Sequence, residues 1–312
     1  MPTPTTYTKP LTLEQAKKLR GLISDRGFTF ETRPYCLYAA MKPGLAVMVY
    51  EKGPKVVVQG KHTAEFVTSL LEPQVLEKAE LGYEEVLNPG MFEPHIGVDE
   101  SGKGDFFGPL VVAGAYVDAA AARALQAAGV MDSKRIGTDA RIHLLAKAVR
   151  STPGVAFEVI VIGPQRYNEM HASFGNLNRL LAWGHAKVIE QLLIKRPDCP
   201  RALSDQFANP AVLKRALQER GKTIVLEQRT KAESDPAVAA ASILARSAFV
   251  TWLDDAGARL GLRLPKGASA EVKASARELV AKHGAAALDT VAKMHFKTSA
   301  EVLGRAVQAE EE

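Results

Sequence analysis

The sequence predicts an α/β protein in which a small α+β domain precedes a larger domain of alternating strands and helices. Three observations predict it. From His95 onward, apolar strand-like runs are separated by longer stretches with helical spacing. Before residue 72 the order is helix, several short strands, helix, and the breaker cluster Asn88-Pro89-Gly90 lies between the two patterns. At 312 residues the chain exceeds the usual size of one domain, and boundaries of 1–88 and 93–312 are expected.

Thr12 can cap a first turn, after which Leu13, Ala16, Leu19, Leu22 and Ile23 recur at helical spacing. Strand-like runs at 28–32, 36–41, 46–50 and 55–59 follow, separated by Pro34, Pro43-Gly44 and Lys52-Gly53-Pro54, and predict an antiparallel meander. A second helix over 63–71 closes this unit, and the acidic stretch 72–93 reads as a linker. The larger domain opens with a strand at 95–98. A second strand at 110–117 is almost continuously apolar and therefore expected to be buried on both faces. Helices at 119–128, 139–149, 177–194 and 237–253 alternate with strands at 155–162, 201–204 and 223–227. The Ala- and Lys-rich remainder, 264–303, reads as two or three helices, and Glu310 to Glu312 as a solvated end.

Hydrophobic residues at 46% and charged residues at 24% exclude disordered, collagen-like and disulfide-framework classes. Only Cys36 and Cys199 occur, in no metal-ligand spacing, so neither a disulfide framework nor a zinc site is expected and a reducing cytoplasm fits. The polar start, residues 1–10, does not read as a signal peptide. Apolar runs such as 110–117 are far shorter than a membrane span, so no membrane association is expected. The net charge of +5 suits a polyanionic partner without identifying one.

The most informative segment is Gly97-Val98-Asp99-Glu100-Ser101-Gly102-Lys103-Gly104-Asp105, where a hydrophobic strand runs into a glycine-rich turn. Side chains alternate along a strand, so Asp99 and Glu100 point apart unless the backbone bends. Two adjacent acids at a strand exit are costly without a cation between them. A phosphate-binding loop is the competing reading, since residues 97–103 match G-x-x-x-x-G-K; it fails at Gly104, where a Ser or Thr hydroxyl is needed to hold magnesium.

Residues Asp99 to Ala113, together with Asp132-Ser133-Lys134, Asn176 to His185, Asp205-Gln206-Phe207, Ala239-Ala240-Ala241-Ser242-Ile243 and Met294-His295-Phe296-Lys297, closely resemble the signature of the type 2 ribonucleases H over roughly 93–303. Lys103 within Gly102-Lys103-Gly104, together with an extra N-terminal domain resembling a TATA-binding-protein-like module, is similar to the ribonuclease HIII branch. The resemblance implies an RNase H-like fold, a mixed central sheet flanked by helices, with Asp99, Glu100 and Asp205 as the first three active-site acids. For the fourth, Glu233 is preferred and Asp235 is the alternative, because the spacing to Ser242 is one residue shorter than in ribonuclease HII. Asp105 is read as an acid of the turn.

The resemblance further implies an endonuclease that cuts the RNA strand of an RNA/DNA hybrid with two Mg²⁺ or Mn²⁺ ions per site, held by Asp99, Glu100, Asp205 and Glu233. Products would carry 5′-phosphate and 3′-hydroxyl ends. The turn Ser101, Gly102, Lys103, Gly104 suits close approach to a ribose 2′-hydroxyl and a phosphate, with Lys134 and Lys231 as further phosphate contacts. No histidine is required for catalysis; His295, within the Met294 to Lys297 match, is the exception to watch, with a positioned C-terminal core residue as the favoured reading. Over the span 9–61 the N-terminal domain sets Lys9, Lys17, Lys18, Arg20, Arg26, Arg33, Lys42, Lys52, Lys55 and Lys61 against Glu14, Asp25, Glu31 and Glu51, a local excess that favours a polyanion-binding surface. Among its aromatic residues Phe28, Phe30, Tyr35, Tyr38 and Tyr50, most are expected in the core. Excision of single ribonucleotides and non-catalytic hybrid binding are the alternatives. A monomer is the default, since no pairing surface is legible.

Overall fold

The computed structural model describes residues 5–77, 89–218, 220–229 and 232–304. Within the chain, residues 78–88 of the expected linker, Lys231 and the acidic end at 310–312 lie outside the described residues. The chain divides into two compact units, Met1–Gly90 and Met91–Glu312.

The first unit is a five-stranded antiparallel sheet in the order β1-β5-β4-β3-β2, built from β1 (Thr6–Pro10), β2 (Thr29–Glu31), β3 (Cys36–Lys42), β4 (Leu45–Tyr50) and β5 (Lys55–Gln59). Strand β1 is not among the predicted elements. Its five residues carry too little apolar alternation to stand out, and they become a strand by pairing with β5, Tyr7 opposite Val58. Helix α1 (Leu13–Ser24) begins as expected, with Thr12 and Gln15 in a reciprocal capping box. The second helix, α2 (Thr63–Phe66), continues in wider turns over Val67–Leu76, past the predicted end and through Pro73, so Glu72 belongs to the helix and not to a linker. It is buried and accepts the Tyr7 hydroxyl at 3.0 Å.

Both helices pack on one face of this sheet, where Leu19, Ile23, Leu70 and Leu71 meet Tyr38, Val47, Val56 and Val58. The strand register puts Thr8, Val57, Met48, Ala39 and Glu31 in one row across the opposite face, which neither helix covers.

The second unit holds a mixed sheet in the order β10-β9-β6-β7-β8. Its strands are β6 (His95–Ser101), β7 (Leu110–Val117), β8 (Ala156–Ile162), β9 (Arg201–Asp205) and β10 (Val225–Arg229). β10, β9 and β6 are parallel; β7 runs antiparallel to β6 and β8. This is the mixed, helix-flanked sheet that the resemblance implies. Strand β7 is buried on both faces, as its apolar run requires.

Helices α3 (Ala119–Ala127), α4 (Asp139–Ser151), α6 (Leu177–Lys195) and α8 (Pro236–Leu260) fall where expected, with α8 extending further at its C-terminal end. Two helices went unpredicted, α5 (Pro164–Phe174) and α7 (Pro210–Ala216). Each starts on a proline at its first turn, a breaker in a loop but pre-organised for a helix start. Helices α9 (Ala270–His283), α10 (Ala287–Val291) and α11 (Lys297–Leu303) complete the unit.

Helix α8 covers one sheet face and α6 the other. Close approach of α8 depends on Gly97, where a Cβ would stand 2.2 Å from the Val238 nitrogen. With 25 residues, α8 is long and apolar enough to cross a membrane, longer than any run noted in the sequence, but 78% of its most apolar 18-residue window is buried inside the unit.

Candidate active site

Parallel pairing of β6 with β9 sets Val98 opposite Ser204, so the next residues, Asp99 and Asp205, leave the sheet side by side, about 5 Å apart along the backbone. Both acids face the α8 side. Asp99 is hydrogen-bonded to Ser242 of α8, and Asp205 Oδ1 accepts the Ala232 N–H at 3.3 Å just ahead of that helix. Glu100, one residue on, faces the opposite side of the sheet, as alternation dictates. There its Oε2 stands 3.0 Å from Nε2 of His185 on α6. The strand runs on through Ser101, so the bend comes after the pair of acids and not between them.

Asp99 is buried and its carboxyl is pushed up to about 8, first by burial and then by the charge of Glu100. The Glu100 N–H, Ser242 and Lys134 act in the other direction. For Glu100 burial also raises, yet the hydrogen bond and charge of His185, with Lys103 and Lys134, hold it below the usual carboxylate range. Burial and mutual repulsion thus work against ionising both carboxyls together, and positive charge between them would offset that cost.

The glycine-rich turn is shaped as its sequence suggests. Gly102 has φ +88°, and a Cβ there would stand 2.2 Å from the Pro109 carbonyl oxygen, so only glycine fits. Beside it Lys103 Nζ is 3.8 Å from Glu100 Oε1, and open space surrounds Gly104. Asp105 belongs to the turn: its Oδ1 accepts the Gly267 N–H. Lys134 sits in a short turn capped by Asp132, and its charge acts on both Asp99 and Glu100. Ser133 anchors that turn to α8 through a 2.7 Å bond to Ser242. Lys231 and the side chain of Glu233 lie outside what the structure describes.

Asp235, the alternative fourth acid, is taken up elsewhere. Its Oδ1 caps α8 by accepting from Ala237 and Val238 and lies 2.8 Å from His95 Nε2, with both side chains buried. His95 opens β6, four residues before Asp99, or about 13 Å along the strand. This places Asp235 at the far end of the strand from the other acids.

Among the described residues no three His, Cys, Asp or Glu side chains already converge closely enough to hold an ion together. The donors present nevertheless fit a hard divalent cation. They are carboxylate oxygens on two adjacent strand ends, and the resistance of Asp99 to ionisation is what positive charge at this position would relieve.

His185 contacts Glu100 although the sequence reading gave it no role. It lies within the matched segment 176–185, where the only available signal was overridden by the fact that the chemistry needs no histidine. Fully buried, it joins Glu100 on one side to Ser204 on the other, Nδ1 to Oγ 3.0 Å. His295 is half-buried in an aromatic cluster, stacked on His171 at 4.4 Å between ring centres and pushed down to about 4 by burial and by the nearby charges of His171 and Lys293.

A mixed sheet that brings acids from separate strands to one end, under a glycine-rich turn, defines a nuclease of the ribonuclease H class. The family model for ribonuclease HII matches residues 96–299. Ribonuclease HIII of Protochlamydia amoebophila is 41% identical over 299 residues, 96% of this chain and 97% of the relative. That of Chlamydia trachomatis serovar L2 is 42% identical over 303 residues, 96% and 98% of the two chains. Among solved structures, Bst-RNase HIII in complex with Mn²⁺ is similar, with a TM-score of 0.65 and 29% identity over 96% of this chain and 98% of that one. Aquifex aeolicus RNase H3 is similar too, with a TM-score of 0.53 and 28% identity over 92% and 99%. The chain belongs to the ribonuclease HIII family, and is thereby a ribonuclease H endonuclease.

Proposed function

We propose that this chain hydrolyses the RNA strand of RNA/DNA hybrids with two Mg²⁺ or Mn²⁺ ions per site, as a monomer in the cytoplasm. The observation that carries the reading is the juxtaposition of Asp99 and Asp205 on neighbouring strand ends, with Glu100 beside them, in a chain of this family. Asp99, Glu100, Asp205 and Glu233 would hold the ions. When bound, such a pair activates water and neutralises charge developing on the departing 3′ oxygen, leaving 5′-phosphate and 3′-hydroxyl ends.

The chain's own residues supply the rest. Lys103 and Lys134, whose charges already act on the acids, offer point charges to the phosphates flanking the cut, with Lys231 as a further contact. The open space at Gly104 and the fixed turn at Gly102 allow backbone groups to approach a ribose 2′-hydroxyl, through which RNA is distinguished from DNA. The N-terminal unit contributes substrate binding through its uncovered sheet face, where Lys55 lies over the Tyr50 ring.

Asp99→Asn is the test. It should lower cleavage by about 10³-fold, the equivalent of several kcal/mol of lost charge stabilisation, while hybrid binding changes little. Cleavage at the parent rate would refute the assignment. A labelled duplex with one ribonucleotide, run beside one with a tract of them, separates the two substrate classes. Preference for the tract supports the proposal, and efficient cutting at the single site would favour excision instead.

A further inference from the structure

We propose that His185 is a positioning residue that ties the two acid-bearing strand ends together and turns one Glu100 oxygen toward the glycine turn for a divalent cation. Contacts at both ring nitrogens fix its orientation. Ser204 Oγ, which also lies 2.9 Å from the Asp205 carbonyl as its donor, stands 3.0 Å from His185 Nδ1. That fixes the ring with Nε2 toward Glu100 Oε2 at 3.0 Å. Phe207, two residues beyond Asp205, packs against the ring with centres 4.8 Å apart and limits its rotation.

One imidazole thus reads both strands, Glu100 at the end of β6 directly and Asp205 at the end of β9 through Ser204. Glu100 Oε2 is engaged by the ring, whereas Oε1, 3.8 Å from Lys103 Nζ, is the oxygen left toward the glycine turn. Groups that hold a metal-binding side chain in this way are worth roughly 10- to 100-fold in metal affinity.

The proposal rests on reading Glu100 as an ion ligand, and the experiment separates the two. Mn²⁺ calorimetry is run on the full chain without nucleic acid for the parent, His185→Leu, His185→Gln and Glu100→Gln. His185→Leu should weaken Mn²⁺ binding by about 10- to 100-fold. His185→Gln, whose amide N–H can replace that of Nε2, should recover most of the loss, with the hybrid KM at saturating Mn²⁺ unchanged in both. Parent-like binding by His185→Leu overturns the proposal, and so does a glutamine variant as weak as the leucine one. If Glu100→Gln binds Mn²⁺ like the parent, the ion-site reading falls and takes the proposal with it. Loss of binding in Glu100→Gln alone, with His185→Leu intact, removes only the positioning role. Should His185→Leu fail to fold, Ser204→Ala keeps the ring and removes its Nδ1 anchor; weaker Mn²⁺ binding supports the link and unchanged binding refutes it.

Discussion

Asp99 and Lys293 are buried ionisable groups with opposite pH signatures. The Asp99 carboxyl is held up to about 8 in the fold and titrates near 3.8 when unfolded. Between those values the native state binds more protons, so stability falls as pH rises from about 4 to about 8. Asp99→Asn removes that loss. In EDTA at pH 8 the variant should be more stable than the parent by on the order of 2 kcal/mol in urea unfolding, with the gain vanishing near pH 4. Equal stability at pH 8 would contradict the burial argument. Lys293 is completely buried, donates to the Asp105 and Gly108 carbonyls at 2.9 and 2.7 Å, and is held down to about 7 by burial, which the charge of Asp105 opposes. Its unfolded value is 10.5, so between 7 and 10.5 the unfolded state binds more protons and stability rises with pH. Lys293→Met should flatten that rise between pH 7 and 9, measured as the difference in urea midpoint between variant and parent. It should also cost about 1–3 kcal/mol through two carbonyls left without a donor.

At the scale of elements, α8 organises the site. It packs along β6, contacting Gly97 near its start, Asp99 through Ser242, and the turn at Gly102 through Phe249. Its N-cap is Asp235, and cap and fourth ligand are different jobs. Asp235→Asn, which keeps a capping oxygen, should retain cleavage within a few-fold; Asp235→Ala should lose about 1–2 kcal/mol of stability from the cap alone, more with the buried Nε2 of His95 left without its partner. Glu233→Gln should lose cleavage with stability preserved. Activity assays and thermal melts on the three variants decide it, and a dead Asp235→Asn that melts like the parent would make Asp235 the ligand.

Across the whole molecule, charge is segregated locally. The acids gather at one end of the second sheet, whereas residues 9–61 of the first unit are rich in Lys and Arg and include a sheet face that neither helix covers. If that face meets the substrate backbone, Lys55→Glu should weaken hybrid binding alike across sequences. It should also reduce the slope of log affinity against log salt by about one unit for each phosphate that is no longer neutralised. An unchanged slope in a salt titration would place the substrate on another surface.

By itself the sequence determined the α/β class, most strands and helices and the glycine turn, because periodicity, capping and short-range spacing are local properties of the chain; Asp205 was named only through the family resemblance. Asp99 and Glu100 were legible as a costly pair, and Gly102 as a turn residue, for the same reason. The edge strand β1 and the proline-led helices α5 and α7 were not, since pairing with β5 and packing decide them against weak or misleading local signals. The role of His185 was equally hidden: nothing in a helical stretch announces that one ring will sit between Glu100 and Ser204, 85 and 19 residues away. Only the tertiary structure decided which acid is a cap and which strand ends meet, because those outcomes depend on register between distant segments.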